Sequence, residues 1–146
     1  MSEPQAPYQH SGRIVDVIVP AVPSPDVSPN GRVNWRVKAK AAKELRQIAM
    51  LAALPNGKAF GPVTRPCKVS YTIYWPKGAR KMDPDNAIGS CKALLDGLCD
   101  AGVIANDRNV TGFPEVKQLT GMNSQVMLSM HPHGCVRVTI EEADDE

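Results

Sequence analysis

The chain has 146 residues, of which 42% are hydrophobic and 22% are charged. These values suit one globular domain and exclude a disordered polyelectrolyte. The net charge is only +2, but residues 1–26 carry −2, residues 27–82 carry +11 and residues 83–146 carry −7. A basic half is therefore followed by an acidic half, and the small total does not argue against a nucleic-acid ligand.

The sequence also predicts the cellular compartment. The longest uninterrupted apolar run, residues 48–54, is far too short to cross a bilayer. The N-terminus has no basic segment followed by an apolar stretch, so we expect no secretory signal. The cysteines show no CxxC spacing, and they are Cys67, Cys91, Cys99 and Cys135. We therefore expect reduced thiols and a cytoplasmic protein.

The first part of the chain predicts a flexible N-terminus, a strand and a long helix. Residues 1–12 are polar and contain proline, whereas residues 13–20 are rich in β-branched residues, as strands are. The proline-rich residues 20–34 predict a loop. Residues 35–54 are alanine-rich and lack glycine and proline, so they predict a helix that ends before Pro55. Its apolar stripe comprises Ala41, Leu45, Ile48, Ala49 and Ala52.

The middle of the chain predicts a strand, a basic turn and a second helix. Residues 67–75 alternate in the strand period, and residues 76–82 form a basic turn. We expect the second helix over residues 85–100, with Gly102 at its C-terminal stop. Its core stripe comprises Ile88, Cys91, Leu95 and Leu98. The aromatic residues expected in the core are Trp35, Tyr71 and Trp75.

The last part of the chain predicts strands. Residues 109–117 and 125–130 are weaker candidates, and residues 135–141 alternate clearly. Residues 142–146 form an acidic tail. The order β-α-β-α-β-β predicts an α/β (α+β) fold, with one compact domain over residues 13–141 in which a small mixed β-sheet packs with two main helices.

Two carboxylates flank a proline just before the second predicted helix. Pro84 disfavours helical backbone at Asp83 and suits the first helical turn at Asp85. Acids at a helix N-terminus are stabilised by the helix dipole. We therefore expect both carboxylates at a strand-to-helix corner, where a solvated loop or a helix cap is the alternative to a metal site.

The helix spacing adds further charged groups to this corner. Asp85, Lys92 and Asp96 are separated by seven and four residues, so they share one polar face of a helix. Asp107 follows a turn that brings the chain back beside that helix. Carboxylates that converge in this way suit Mg²⁺ or Mn²⁺. Such an ion neutralises a phosphodiester and activates water, and Lys92 can stabilise charge in the transition state.

The basic half of the chain supplies candidate DNA contacts near these carboxylates. A solvated helix face, or simple compensation of the neighbouring carboxylates, is the alternative interpretation. The candidate DNA-binding residues are Arg32, Arg36, Lys38, Lys40, Lys43, Lys77, Arg80 and Lys81. Aromatic residues make up only 5% of the chain, which disfavours recognition of single strands by base stacking.

Several short motifs follow one another in this region. They are Asp-Pro-Asp-Asn at 83–86, Lys-x₃-Asp-Gly-Leu at 92–98, Ala-Gly-Val-Ile at 101–104 and Asp107 before a valine. The run from about Asp83 to Lys117 resembles the RusA family of Holliday junction resolvases. The N-terminal strand, the Pro-Ser-Pro loop and the basic helix resemble the family more weakly.

The resemblance implies a Mg²⁺-dependent endodeoxyribonuclease, for which Mn²⁺ can substitute. Such an enzyme acts as a homodimer and nicks four-way DNA junctions in symmetric pairs, in the recombination and repair of DNA in a bacterial or phage-infected cell. The family's catalytic carboxylates and metal ligands map onto Asp83, Asp85 and Asp107, its lysine onto Lys92 and a further acid onto Asp96.

This sequence departs from the family pattern in two places. Asn106 stands before Asp107, where many relatives have a second aspartate. Lys92 lies about one helical turn further from the Asp-Pro-Asp-Asn motif than in the best-known member of the family. One additional turn preserves the face of a helix.

Other interpretations remain open. Pro84 and Asp85 with Glu115 and Lys117 satisfy the loose PD-(D/E)xK nuclease pattern, which requires the last two on a strand beside the aspartate. A non-catalytic, junction-binding architectural protein would use the basic face but not the carboxylates. The alternating set His131, His133 and Cys135 is interpreted as structural rather than metal-binding.

Overall fold

The computed structural model describes residues 12–24 and 34–143. The predicted flexible N-terminus lies almost wholly outside these ranges, as do much of the proline-rich loop and the last three residues of the acidic tail. The strands and helices are β1 (Ile14–Val19), α1 (Trp35–Phe60), β2 (Cys67–Tyr74), α2 (Pro84–Ser90), α3 (Lys92–Asp100), β3 (Glu115–Leu119), α4 (Gln125–Met130) and β4 (Cys135–Glu142). Two 3₁₀ helices span Asp107–Asn109 and Gly121–Ser124.

The four strands form one mixed sheet in the order β1-β4-β2-β3. β4 runs antiparallel to both β1 and β2, and β3 runs parallel to β2. Alternate residues such as Tyr71, Val138 and Val17 lie side by side across the sheet and are buried. The main helices α1 and α3 pack against each other, and their buried side chains join this apolar face in one core. The predicted single α/β domain with a small mixed sheet is therefore confirmed.

The prediction that the first helix ends before Pro55 is wrong. α1 continues to Phe60 with Pro55 inside it, although a proline has no amide hydrogen to donate to the preceding turn. The added part of the helix packs closely against Ala101. A Cβ atom on Gly57 would collide with the Ala101 carbonyl oxygen. The helix ends at Gly61, where φ is +70° and the amide donates to the Gly57 carbonyl at 3.0 Å.

Two of the predicted later strands also differ. Residues 125–130 form the short helix α4 instead of a strand, since a six-residue segment with only three consecutive apolar residues has no decisive period. The preceding Ser124 hydroxyl donates to the Leu119 carbonyl at 2.8 Å, which turns the chain away from β3. Within residues 109–117 only the last three belong to a strand, because β3 begins at Glu115.

Three predictions of buried apolar side chains are wrong. Trp35 is 71% exposed, and the Arg36 guanidinium stacks over its ring at 5.1 Å. Ile48 and Ile88 are also exposed. The other two aromatic residues expected in the core, Tyr71 and Trp75, are buried as predicted.

The acidic tail begins one residue later than predicted. Glu142 belongs to β4, where it is buried and accepts the Arg13 amide hydrogen at 2.9 Å. The hydrogen bond satisfies a carboxylate that would otherwise be costly to bury.

The remaining sequence expectations concern cysteines and membranes. All four cysteines are free thiols, as predicted. Among the described residues, no helix is both long enough and apolar enough to span a bilayer.

Candidate active site

Asp83 and Asp85 lie where the chain enters α2. Pro84 is the first residue of this helix, and Asp83 is its N-cap with non-helical backbone angles of φ −57° and ψ 143°. The Asp83 carbonyl accepts the amide hydrogen of Ala87 at 2.9 Å. Asp85 occupies the first turn, and both carboxylates are exposed. The predicted corner is confirmed, with Pro84 in the role that its fixed φ favours.

The predicted helix over residues 85–100 is divided at Cys91. The Cys91 amide hydrogen bonds to the Ile88 carbonyl at 3.2 Å, and α3 begins at the next residue. Cys91 is buried, whereas Ile88 is exposed. Because α2 and α3 are separate helices, their sequence spacing alone does not place Asp85 on the same face as Lys92.

Lys92 is the centre of a charged cluster on α3. Its Nζ donates to Asp96 Oδ1 at 2.8 Å and to Asp107 Oδ2 at 3.3 Å. The hydrogen bond to Asp96 is the main reason why the pKa of Lys92 is raised above its ordinary value, and Asp107 adds to this effect. The structure thus brings Lys92, Asp96 and Asp107 together, which is only part of the convergence predicted from the sequence.

Asp107 reaches this cluster through a tight turn after α3. Gly102 has φ +80°, as expected at a helix stop. The chain then runs beside residue 63, because Val63 donates to the Val103 carbonyl at 2.8 Å and Ala105 donates to the Val63 carbonyl at 2.9 Å. Asn106 accepts the Arg108 amide hydrogen at 2.9 Å and so begins the 3₁₀ helix at Asp107.

Arg46 and Asp100 extend the cluster towards α1. The Arg46 guanidinium bonds to both carboxylate oxygens of Asp100, at 2.6 and 2.8 Å, and its Nη1 lies 3.9 Å from Asp96. The hydrogen bond from Arg46 lowers the pKa of Asp100. Sequence reasoning did not identify this pair, because Arg46 and Asp100 are 54 positions apart in sequence.

A cavity of about 420 Å³ lies next to this cluster and is lined by residues of α1, α2 and α3. Four charged side chains line it, and they are Lys43, Arg46, Lys92 and Asp96. The rest of the lining consists of small residues such as Ala42 and Gly89. The cavity thus joins the basic face of α1 to the Lys92 cluster.

Seven of the eight candidate DNA-binding residues lie in two places. Four of them lie on α1, and they are Arg36, Lys38, Lys40 and Lys43. The loop between β2 and α2 carries three cations, Lys77, Arg80 and Lys81. Arg32 lies outside the described residues.

The described part of the chain contains no ready-made metal cage. Within residues 12–24 and 34–143, no group of three or more His, Cys, Asp or Glu residues is arranged to hold a metal ion. Asp83, Asp85 and Asp107 supply hard oxygen donors of the kind that Mg²⁺ prefers, but the three carboxylates are not gathered at one point. The donor chemistry therefore fits Mg²⁺, whereas the arrangement does not form a closed protein site.

The structure also gives the positions of residues from the PD-(D/E)xK pattern and from the histidine–cysteine set. Glu115 and Lys117 are exposed on β3, opposite Ser70 and Thr72 of β2, but Asp85 belongs to a helix and not to a neighbouring strand. Cys135 is buried at the start of β4, whereas His133 is exposed in the preceding turn. These two residues therefore face different surroundings.

The chain matches no protein-family model. It is similar to a protein of Xylella fastidiosa (strain Temecula1) that bears the name "Uncharacterized protein", with 29% identity over 109 residues. The alignment covers 74% of this chain and 71% of the relative.

Proposed function

We propose that this protein is a RusA-like, Mg²⁺-dependent endodeoxyribonuclease that resolves four-way DNA junctions by paired nicks. The observation that carries the proposal is the Lys92 cluster, in which one lysine lies between carboxylates from two separate segments beside a basic helix. We place this activity in the recombination and repair of DNA in the cytoplasm of a bacterial or phage-infected cell.

The proposed chemistry gives each side chain of the cluster a task. Lys92 is protonated at neutral pH, as lysines ordinarily are, and its pKa is raised further, so it can stabilise the extra negative charge on a phosphate under attack. Asp96 orients the Lys92 ammonium through the 2.8 Å hydrogen bond. Asp107 shares the same ammonium and is exposed to solvent.

The proposal assigns Mg²⁺ to Asp83, Asp85 and Asp107, with Mn²⁺ as a substitute. The ion would supply charge neutralisation and a more acidic bound water. Mg²⁺ in proteins is often held by one or two carboxylates together with substrate phosphates, which agrees with exposed donors that do not form a closed cage. We therefore expect weak binding of Mg²⁺ to the free protein and tighter binding to the protein–DNA complex.

The basic residues give the substrate a route to the cluster. The cations of the 76–82 loop directly precede Asp83 in the chain. Across the cavity, Lys43 on α1 lines the same space as Lys92. A phosphate backbone that follows α1 would thus meet the lysine proposed to act on the scissile phosphate.

A homodimer is part of the proposal. A four-way junction has two-fold symmetry, and a protein that makes two equivalent nicks needs two equivalent sites. A monomer in complex with one junction would make independent nicks instead.

One alternative nuclease assignment has an observation in its favour. Glu115 and Lys117 do lie on a strand, as the PD-(D/E)xK pattern requires. Replacement of Glu115 by glutamine separates the assignments, because the RusA-like proposal expects near-normal cleavage from Glu115→Gln. Loss of cleavage in Glu115→Gln, together with normal cleavage in Asp107→Asn, would establish the alternative.

The proposal is tested with a synthetic four-way junction in Mg²⁺ or in EDTA. Wild-type protein should nick the junction only with the metal, and Asp83→Asn, Asp85→Asn and Asp107→Asn should each lower the single-turnover rate by about 100-fold or more. Each variant should still bind the junction. Cleavage of linear duplex alone would remove the resolvase assignment but keep the nuclease.

A further inference from the structure

Gln118 on β3 bonds to both ends of the loop that leads into α2. Its Oε1 accepts the indole Nε1 hydrogen of Trp75 at 2.9 Å and the amide hydrogen of Met82 at 2.8 Å. Its Nε2 donates to the Met82 carbonyl at 2.9 Å. Both ends of the glutamine amide are therefore used, and Met82 is held through its amide and its carbonyl at once.

These bonds hold the two ends of one loop together. The loop leaves the sheet at Trp75, whose amide also donates to the Leu119 carbonyl at 3.0 Å, and it returns at Met82. Inside it, Ala79 donates to the Pro76 carbonyl at 3.0 Å, and Gly78 has φ +84°. Because Trp75 is only 5% exposed, Gln118 ties the loop to a residue of the hydrophobic core.

Charged groups of the candidate site lie next to, or between, the two residues that Gln118 holds. Asp83 is bonded covalently to Met82, and its carbonyl starts α2. The three loop cations, Lys77, Arg80 and Lys81, lie between the two residues that Gln118 holds. A displacement of Met82 would therefore move Asp83. A larger separation between Trp75 and Met82 would also move the cations.

We propose that Gln118 is a positioning residue, which sets the place of Asp83 and of the loop cations relative to the sheet. The inference rests on the proposed function, because it gives Gln118 an effect on metal-supported cleavage of DNA. Gln118 itself contacts neither metal nor DNA in this proposal; it acts through the backbone of Met82.

The test compares Gln118→Met with Gln118→Glu. Methionine keeps the length of the side chain but loses all three hydrogen bonds. A glutamate can accept from Trp75 and Met82, but its carboxylate cannot donate to the Met82 carbonyl until it is protonated. Gln125→Met on α4 is the matched control, because Gln125 is also a glutamine but is exposed.

We expect Gln118→Met to nick a four-way junction at least about 10-fold more slowly than wild type and to need a higher Mg²⁺ concentration for its half-maximal rate. The rate of Gln118→Glu relative to wild type should rise as the pH falls from 8 to about 5.5, because the protonated carboxyl regains the donor. That of Gln118→Met should stay constant over the same range. A loss of stability alone would not produce this difference between the pH profiles.

A second readout does not depend on activity. The chain has two tryptophans, so an NMR spectrum shows two indole N–H signals, and the Trp75 signal should move in Gln118→Met but not in Gln125→Met. Mn²⁺ should broaden the backbone signals of Asp83 and Asp85 in wild type, and this broadening should weaken in Gln118→Met.

The outcomes separate the two proposals. Wild-type rate and Mg²⁺ requirement in Gln118→Met, with the Trp75 signal shifted, would overturn the positioning role and leave the nuclease intact. A wild type that never nicks DNA, but whose Mn²⁺ broadening depends on Gln118, would overturn the nuclease and keep the positioning role. An absence of broadening at Asp83 and Asp85 in wild-type protein would overturn the positioning of a metal-binding carboxylate.

Discussion

The surroundings of Lys92 stabilise its charged form. Its ammonium lies between Asp96 and Asp107, and its pKa is raised above the ordinary value of 10.5. The stabilisation from these ion pairs is complete below pH 10.5 and is lost only as the pH rises through the higher folded-state value. Deprotonation of Lys92 should therefore not limit cleavage at any pH near neutrality.

Lys92→Met should separate catalysis from stability. The side chain is 60% exposed, so we expect the free energy of unfolding to change by no more than about 1 kcal/mol. The single-turnover rate of junction cleavage should fall by about 100-fold. Lys68→Met removes one exposed charge from β2 and is the control. Equal rates for the two variants would show that Lys92 takes no part in the reaction.

The raised pKa values of the cysteine thiols predict slow reaction with thiol reagents. Burial raises the pKa of Cys91 to about 12, and burial together with the negative charges of Asp107 and Asp96 raises the pKa of Cys99 to about 11. At pH 8 the thiolate fraction of Cys99 is then about 100-fold lower than for a cysteine with the ordinary value of 9.0. A thiol reagent at pH 8 should label the native protein slowly and label all four cysteines rapidly in urea. Rapid labelling of native Cys99 would contradict this environment.

Helices α1 and α3 form the packing unit that supports the candidate site. A Cβ atom on Gly97 would lie 2.6 Å from Ala49 Cβ and 2.9 Å from the Met50 nitrogen, so the two helices approach through this glycine. The Arg46–Asp100 pair lies at the same interface. Because the pKa of Asp100 is lowered, the stabilisation from this pair is complete above pH 3.8 and is lost as the pH falls through the lower folded-state value.

Gly97→Ala should destabilise the protein, although alanine is the better helix former. The collision with α1 should outweigh the gain in helix propensity of about 1 kcal/mol. We expect a net loss of about 2 kcal/mol in the free energy of urea unfolding. The control is Gln47→Ala on the exposed side of α1, which should stay within about 0.5 kcal/mol of wild type. A stabilised Gly97→Ala variant would contradict the close helix contact.

Some of these elements were predictable from the sequence and others were not. Strands with clear alternation, such as β2 and β4, were predictable because burial on one face imposes the period. The end of α1 was not, because tertiary packing around Gly57 overrides the local signal of Pro55. The six residues of α4 were misassigned because their apolar run is too short to show a period.

The candidate site was predictable in part, because only some of its contacts follow from local sequence spacing. The contact of Lys92 with Asp96 follows from helical spacing, and Asp107 follows from a glycine stop after the helix. The roles of Arg46 and Gln118 depend on contacts between residues 54 and 36 positions apart in sequence, respectively. A single sequence contains no local pattern for such contacts.

Charge is unevenly distributed over the whole molecule. The +11 of residues 27–82 includes the cations of α1 and of the loop before Asp83. The −7 of residues 83–146 includes the carboxylates proposed to meet the metal. The net charge of +2 therefore understates the positive potential that DNA would meet at α1.

Salt dependence tests this charge arrangement. Lys40→Gln together with Lys43→Gln should weaken junction binding and reduce the slope of log affinity against log salt by about 0.9 for each phosphate that is no longer neutralised. The control combines Lys58→Gln with Lys68→Gln, which removes the same charge from the C-terminal end of α1 and from β2. Equal slopes for the two double variants would mean that Lys40 and Lys43 make no special contact with the DNA backbone.

The central claim is tested most directly by mapping nicks on one four-way junction, labelled on each of its four strands in turn. With Mg²⁺, wild-type protein should cut two opposite strands at equivalent positions, leave a linear duplex of the same sequence intact, and lose this activity in Asp85→Asn. Tight binding of the junction without a nick in any strand, in Mg²⁺ and in Mn²⁺ alike, would contradict the nuclease and favour a junction-binding architectural protein.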